Sequence, residues 1–227
     1  MYPTDPSARE SFTLSFSTMP ELATGLSNIF IVISAALCLV SLPRRRELRE
    51  WRLFFALTGL AAVCGLLVHC LVLPEPGERL LWIGFDLCIM PALAALALAG
   101  RGDLRGPAPL LLRRLLWLAA AAGAGVMILR LLRTGDFGAQ FPVAAVLGAA
   151  SVASYLLCLL LGRRLRPRQT SRGLLGMVLL LGLGLPWLLG GEFVLRLGPL
   201  LLNQSAVLHI GTALALPLFR LSAGDGR

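Results

Sequence analysis

The chain has 227 residues, of which 57% are hydrophobic and 15% are charged, and its formal net charge is +9. A short chain with a mean hydropathy of +0.80 has room for apolar spans and their connections but not for a separate soluble domain. All 21 basic residues are arginine, which excludes a retinal Schiff base on lysine. Because the arginines flank apolar runs, the positive charge indicates membrane topology and not a nucleic-acid partner.

Seven apolar runs follow a polar segment, residues 1–21, that we predict to lie outside the membrane. Each run is about 18–24 residues long, enough to cross a hydrocarbon core of about 30 Å. Their continuous apolar character favours helices over the alternating strands of a membrane barrel. We therefore predict an all-α membrane protein, a seven-transmembrane helix bundle over residues 22–222 with a tail at 223–227. The predicted spans are 22–42, 53–73, 80–100, 111–132, 139–162, 173–195 and 204–222.

Arginine is concentrated in every second gap between these runs. Sixteen of the 21 arginines lie in or beside the gaps after spans one, three and five or at the end of span seven and its tail, and the other five lie on the opposite side. The positive-inside rule then places the N-terminus outside and the C-terminus in the cytoplasm. The prediction is a multi-pass integral membrane protein in contact with membrane lipids, in the plasma (inner) membrane if the cell is bacterial.

Several polar residues fall at one depth in this topology. Ser27 and Asn28 lie about five residues into span one, and Asp86 lies about six residues into span three. His209 lies about five residues into span seven, and His69 lies about four residues before the end of span two. At 1.5 Å per residue, this places all of them roughly 6–9 Å below the outer boundary. Further polar residues near this layer are Glu21, Glu192 and Ser205.

The chemistry of this layer suggests a metal site. An ionised Asp86 would cost several kcal/mol unless it were paired, hydrated or bound to a cation. His69 and His209 have matching depth, and neutral imidazole with carboxylate suits zinc, which makes bound water nucleophilic. Two alternatives remain open. The three side chains could form a hydrogen-bonded packing cluster, or the two histidines could be axial ligands of haem in a redox protein.

A resemblance to a known family begins in span one. Glu21 is followed, after five residues, by Ser27 and Asn28. This E-x5-S-N segment resembles the first span of the alkaline ceramidases, which belong to a seven-span superfamily with the progestin/adiponectin receptors. The order of His69, Asp86 and His209 is similar as well. The resemblance implies an intramembrane zinc hydrolase that acts on a lipid amide or ester.

Carried over by position, the resemblance implies that His69 and His209 are zinc ligands and that Asp86 is catalytic. We also predict a catalytic part for Ser27, which lies in the same polar layer. Asp86 is also a predicted metal ligand. In the resemblance, Glu21 matches a position that helps bind calcium in some ceramidases.

The sequence departs from the family pattern at two positions. Ser205 stands where the first histidine of the family's H-x-x-x-H would fall, and if His209 is instead the first, Ala213 replaces the second. Gly65 stands where the family has a serine four residues before the span-two histidine. Three functions remain open: a hydrolase with an altered metal site, a non-catalytic relative that senses lipid or supports other membrane proteins, and the haem redox protein.

Overall fold

The computed structural model describes residues 15–16, 19–105, 109–135, 141–162, 167–188, 194–197 and 200–223. Seven α-helices occupy most of these ranges, so the prediction of a helical protein is confirmed. They are α1 (Met19–Ser41), α2 (Arg49–Cys70), α3 (Glu75–Arg105), α4 (Leu110–Thr134), α5 (Phe141–Gly162), α6 (Pro167–Leu188) and α7 (Gln204–Ser222). A short 3-10 helix, Arg46–Leu48, precedes α2.

The apolar runs form helices because a helix satisfies its backbone hydrogen bonds within one segment, as a hydrocarbon environment requires. In the part of the chain that the structure describes, five helical segments are long and apolar enough to cross a membrane. They are Leu22–Ser41, Arg49–Cys70, Glu75–Arg101, Leu110–Thr134 and Gln204–Ser222. A shorter apolar stretch, Gly148–Leu161, lies in α5. The count of seven spans and their orientation stay predictions.

The helices pack so that the ends beside the arginine-rich loops lie together. α1 packs against α2 and α7, α3 packs against α2, α4 and α5, and α6 packs against α7. Arg220 of α7 donates to Ser41 at the end of α1, and Arg113 of α4 lies 2.6 Å from Glu50 of α2. We call this end of the bundle the basic end. The opposite end, where α1 and α7 begin and α2 ends, is the polar end.

Two short pairs of antiparallel strands lie at the predicted ends of spans two and six. α2 ends at Cys70, three residues before the predicted end of span two, and Leu71–Val72 (β2) pairs with Ser15–Phe16 (β1). Val194–Leu197 (β3) pairs with Leu200–Asn203 (β4), and α6 spans 167–188 where the sequence predicts 173–195. The sequence does not distinguish these strands from the ends of the spans, because a short apolar strand and a helix segment have similar composition. Pro74 also disfavours helix at the residue before it.

An aromatic cluster forms the core of the basic end. Trp51, Phe54 and Phe55 of α2 pack against Tyr155 of α5 and Phe219 of α7, with ring centroids 5.2–6.1 Å apart. The rings of Trp51, Phe55, Tyr155 and Phe219 are at most 1% exposed. Because three helices contribute rings, the cluster fixes α2, α5 and α7 relative to one another.

Close packing of α3 against α5 makes Gly100 sensitive to substitution. A Cβ at Gly100 would lie 3.0 Å from Cε2 of Tyr155 and nearer still to Cδ2. Since the ring of Tyr155 is enclosed by the aromatic cluster, we expect Gly100→Ala to destabilise the protein by about 1–3 kcal/mol. Gly125→Ala is the matched control, because a Cβ there meets no atom within 4 Å. Thermal unfolding in detergent measures both, and equal melting temperatures would contradict this packing.

Candidate functional site

The start of α7 is attached to α1 at the polar end. The Thr24 hydroxyl of α1 lies 2.9 Å from Oδ1 and 2.6 Å from Nδ2 of Asn203. The same Oδ1 accepts the backbone N–H of Ala206 at 2.8 Å, so Asn203 is the N-cap of α7. Because one side chain both caps α7 and contacts α1, the first turns of α7 are held at a fixed position against Thr24.

This attachment brings His209 of α7 onto Ser27 of α1. Nδ1 of His209 lies 2.9 Å from Oγ of Ser27 and 3.2 Å from the carbonyl oxygen of Thr24. The Ser27 hydroxyl donates its own proton to that carbonyl oxygen at 2.6 Å. Nδ1 therefore faces two oxygens that accept, and it carries the proton in the neutral imidazole. The lone pair of neutral His209 is then on Nε2, a tautomer assigned from these hydrogen bonds.

Asn28 completes this group of polar residues on α1. Its Nδ2 donates to the Thr24 carbonyl oxygen at 3.2 Å, and Thr24, Ser27 and Asn28 are all buried. α2 passes close by, because a Cβ at Gly65 would lie 3.2–3.4 Å from the Asn28 amide group. The resemblance places a serine at position 65. In this structure the Asn28 amide group lies beside that position.

The other two predicted ligands lie on α2 and α3. His69 is in the last turn of α2, and its ring packs edge to face against Trp82 of α3 with centroids 5.6 Å apart. The end of α2 also lies against α1, because a Cβ at Gly25 would lie 3.2 Å from the backbone carbonyl carbon of His69. Asp86, one turn beyond Trp82, is completely buried at 0% exposure. The structure thus brings Ser27 and His209 into contact, with His69 nearby.

The three predicted zinc ligands, His69, His209 and Asp86, all lie within the described residues. Within the ranges that the structure covers, no three His, Cys, Asp or Glu side chains are grouped so that they could hold one metal ion. His209 by itself is arranged as metal-bound histidines are, with Nδ1–H held by oxygen atoms and the lone pair on Nε2. The set of His69, His209 and Asp86 does not fit one zinc ion in this conformation. Zinc and haem binding stay predictions.

The structure describes only some of the remaining predicted site residues. Ser205 is half-buried in the first turn of α7. Glu21 belongs to α1, but its side chain lies outside the described residues, as does the whole of Glu192.

Two residues of the site, Thr24 and Asn203, are not predicted from the sequence. Asn203 has a usable signal, because asparagine directly before a helical run is a preferred N-cap. Thr24 has a weaker one: it precedes Ser27 and Asn28 by three and four residues, which places all three on one helix face.

This is a helical protein whose several apolar helices are compatible with a multi-pass membrane protein. At its polar end, a histidine contacts a serine. The chain belongs to the family of unknown function DUF6962, whose sequence profile matches residues 23–227. That match includes α2–α7 in full and nearly all of α1. No curated protein matches the chain.

Proposed function

We propose that this protein is an intramembrane hydrolase of a lipid amide or ester, with its site at the polar end around Ser27, His209 and Asp86. The observation that carries the proposal is the orientation of His209. The Ser27 hydroxyl oxygen and the Thr24 carbonyl oxygen accept its Nδ1–H, so Nε2, which carries the lone pair, is the basic atom. A positioned neutral imidazole is the commonest general base in enzymes.

The reaction assigned to these residues is hydrolysis by water. Nε2 of His209 accepts a proton as a water oxygen bonds to the carbonyl carbon of the lipid. The proton then passes to the leaving nitrogen or oxygen as the carbon–nitrogen or carbon–oxygen bond breaks, giving a carboxylic acid and an amine or alcohol. Ser27 and Thr24 keep the imidazole in the required tautomer. The resemblance supports a catalytic part for Asp86, whose burial in α3 keeps it from bulk water.

Zinc would supply an acidified water molecule if His69, His209 and Asp86 bound it. Because these three side chains do not form one ligand group in this conformation, the reaction above uses His209 and not a metal. Metal content of the detergent-purified protein, by mass spectrometry, distinguishes the two versions. About one zinc per chain in the wild type, lost in His69→Ala, would establish the metal-dependent version. Hydrolysis by protein that stays metal-free after dialysis against zinc would establish the metal-free one.

A second candidate is a non-catalytic lipid sensor or structural membrane protein. The observation that favours it is the ungrouped ligand set, together with Gly65 where the resemblance places a serine. Under this alternative, the contacts of Thr24, Ser27 and His209 only hold α1 against α7. Reproducible hydrolysis of a ceramide-like lipid, abolished by Asp86→Asn, would exclude it. Lipid binding without hydrolysis would favour it.

A further inference from the structure

A cleft of about 230 Å³ lies between α3, α4 and α5 near the basic end. Its walls are mainly leucines from all three helices, namely Leu98, Leu112, Leu116, Leu157 and Leu161. Leu157 is 57% exposed and Leu161 is 55% exposed, so the cleft is open on its outer side. When these helices span a membrane, that side faces lipid chains. An apolar groove open to lipid is suited to an acyl chain.

Among the described residues that line this cleft, Arg101 is the cation. Arg101 of α3 is half-buried. Its Nε atom is buried from solvent, and among the described residues it has no hydrogen-bond partner. The nearby Arg113 of α4 differs, because its guanidinium pairs with Glu50 at 2.6 Å. A partly desolvated guanidinium beside apolar walls is unfavourable unless an anion compensates its charge. The cleft thus joins an apolar groove to a positive charge.

We propose that this cleft binds an anionic phospholipid, with its phosphate on Arg101 and an acyl chain between the leucines. Guanidinium groups bind phosphate oxygens through paired, charge-assisted hydrogen bonds. Basic pockets between membrane helices on the arginine-rich side are typical sites for anionic headgroups. The site is separate from Ser27 and His209, which lie at the opposite end, and it does not depend on the proposed hydrolase activity.

Native mass spectrometry of the detergent-purified full chain tests this proposal. Phosphatidylglycerol and phosphatidylcholine with identical acyl chains are titrated onto wild type, Arg101→Gln and Arg114→Gln, with inorganic phosphate as a separate arm. Arg114 is the matched control because it is an exposed arginine at the start of α4. We expect the wild type to prefer phosphatidylglycerol, Arg101→Gln to reduce that preference by about fivefold, and Arg114→Gln to leave it nearly unchanged.

Equal losses in both arginine variants would overturn the site, because they would show that only the overall surface charge attracts the lipid. Binding of inorganic phosphate as strong as that of the lipid would overturn the role of the leucine walls. Leu157→Trp narrows the mouth of the cleft without changing charge, and we expect it to lower phosphatidylglycerol retention. That variant keeps the proposal falsifiable if Arg101→Gln folds poorly, since unchanged retention would count against the cleft.

Discussion

Replacing His209 with glutamine is expected to lower hydrolysis of a lipid amide or ester by about 10²–10⁴-fold, the range for loss of a general base. Glutamine can still donate a hydrogen bond toward the Thr24 carbonyl oxygen, but it has no basic nitrogen to accept a proton from water. The loss should therefore appear in turnover while folding is retained. The measurement is the initial rate of fatty-acid release by protein reconstituted in vesicles.

Thr212→Val is the control on the same helix. The Thr212 hydroxyl donates to the Leu208 carbonyl oxygen at 2.9 Å within α7, and the residue is half-buried as His209 is. We expect this substitution to change turnover by less than about twofold. A similar loss in both variants would show that the effect comes from disturbance of α7 and not from the imidazole.

Replacing Phe55 with alanine is expected to destabilise the protein by about 3–5 kcal/mol, the range for buried phenylalanine. Phe55 is 0% exposed and packs on Trp51 and Phe54, with ring centroids 5.9 and 5.2 Å away. Its removal would leave a cavity in the cluster that joins α2, α5 and α7. Thermal unfolding in detergent, followed by intrinsic fluorescence and by loss of the monodisperse peak, measures the change.

Phe30→Ala provides a matched comparison, because it removes the same side chain from a surface position. Phe30 is 57% exposed on α1, so its removal creates no enclosed cavity. We expect a change within about 0.5 kcal/mol. If the two phenylalanine variants melted at the same temperature, the aromatic cluster would not be the stabilising core that the structure indicates.

The positions of the helices follow from the sequence because about 20 consecutive apolar residues have few alternatives to a helix in a membrane. The ends follow less well. Leu71–Val72 and, apart from Arg196, Val194–Leu197 are as apolar as the helices beside them, and they form strands by pairing with other segments of the chain. Composition alone does not report such pairing.

The candidate site, too, can be predicted from the sequence only in part. Depth along the helices predicts that Ser27 and His209 lie at one level, and the structure brings them into contact. Depth does not fix rotation about the helix axis, and each residue turns the side-chain direction by about 100°. Three ligands can therefore share a level without converging, as with His69, His209 and Asp86 in this conformation. The Thr24–Asn203 contact depends on how α7 meets α1, which no local pattern encodes.

Turnover of lipid amides and esters by the reconstituted wild type, beside Asp86→Asn, tests the proposed hydrolase most directly. The assay uses vesicles that contain a panel of ceramide-like amides and acyl esters, with and without added zinc. We expect the wild type to release a carboxylic acid from at least one lipid and Asp86→Asn to lose this activity. A folded wild type that releases no product from any lipid, in either condition, would contradict it and leave the polar end as a packing or lipid-binding feature.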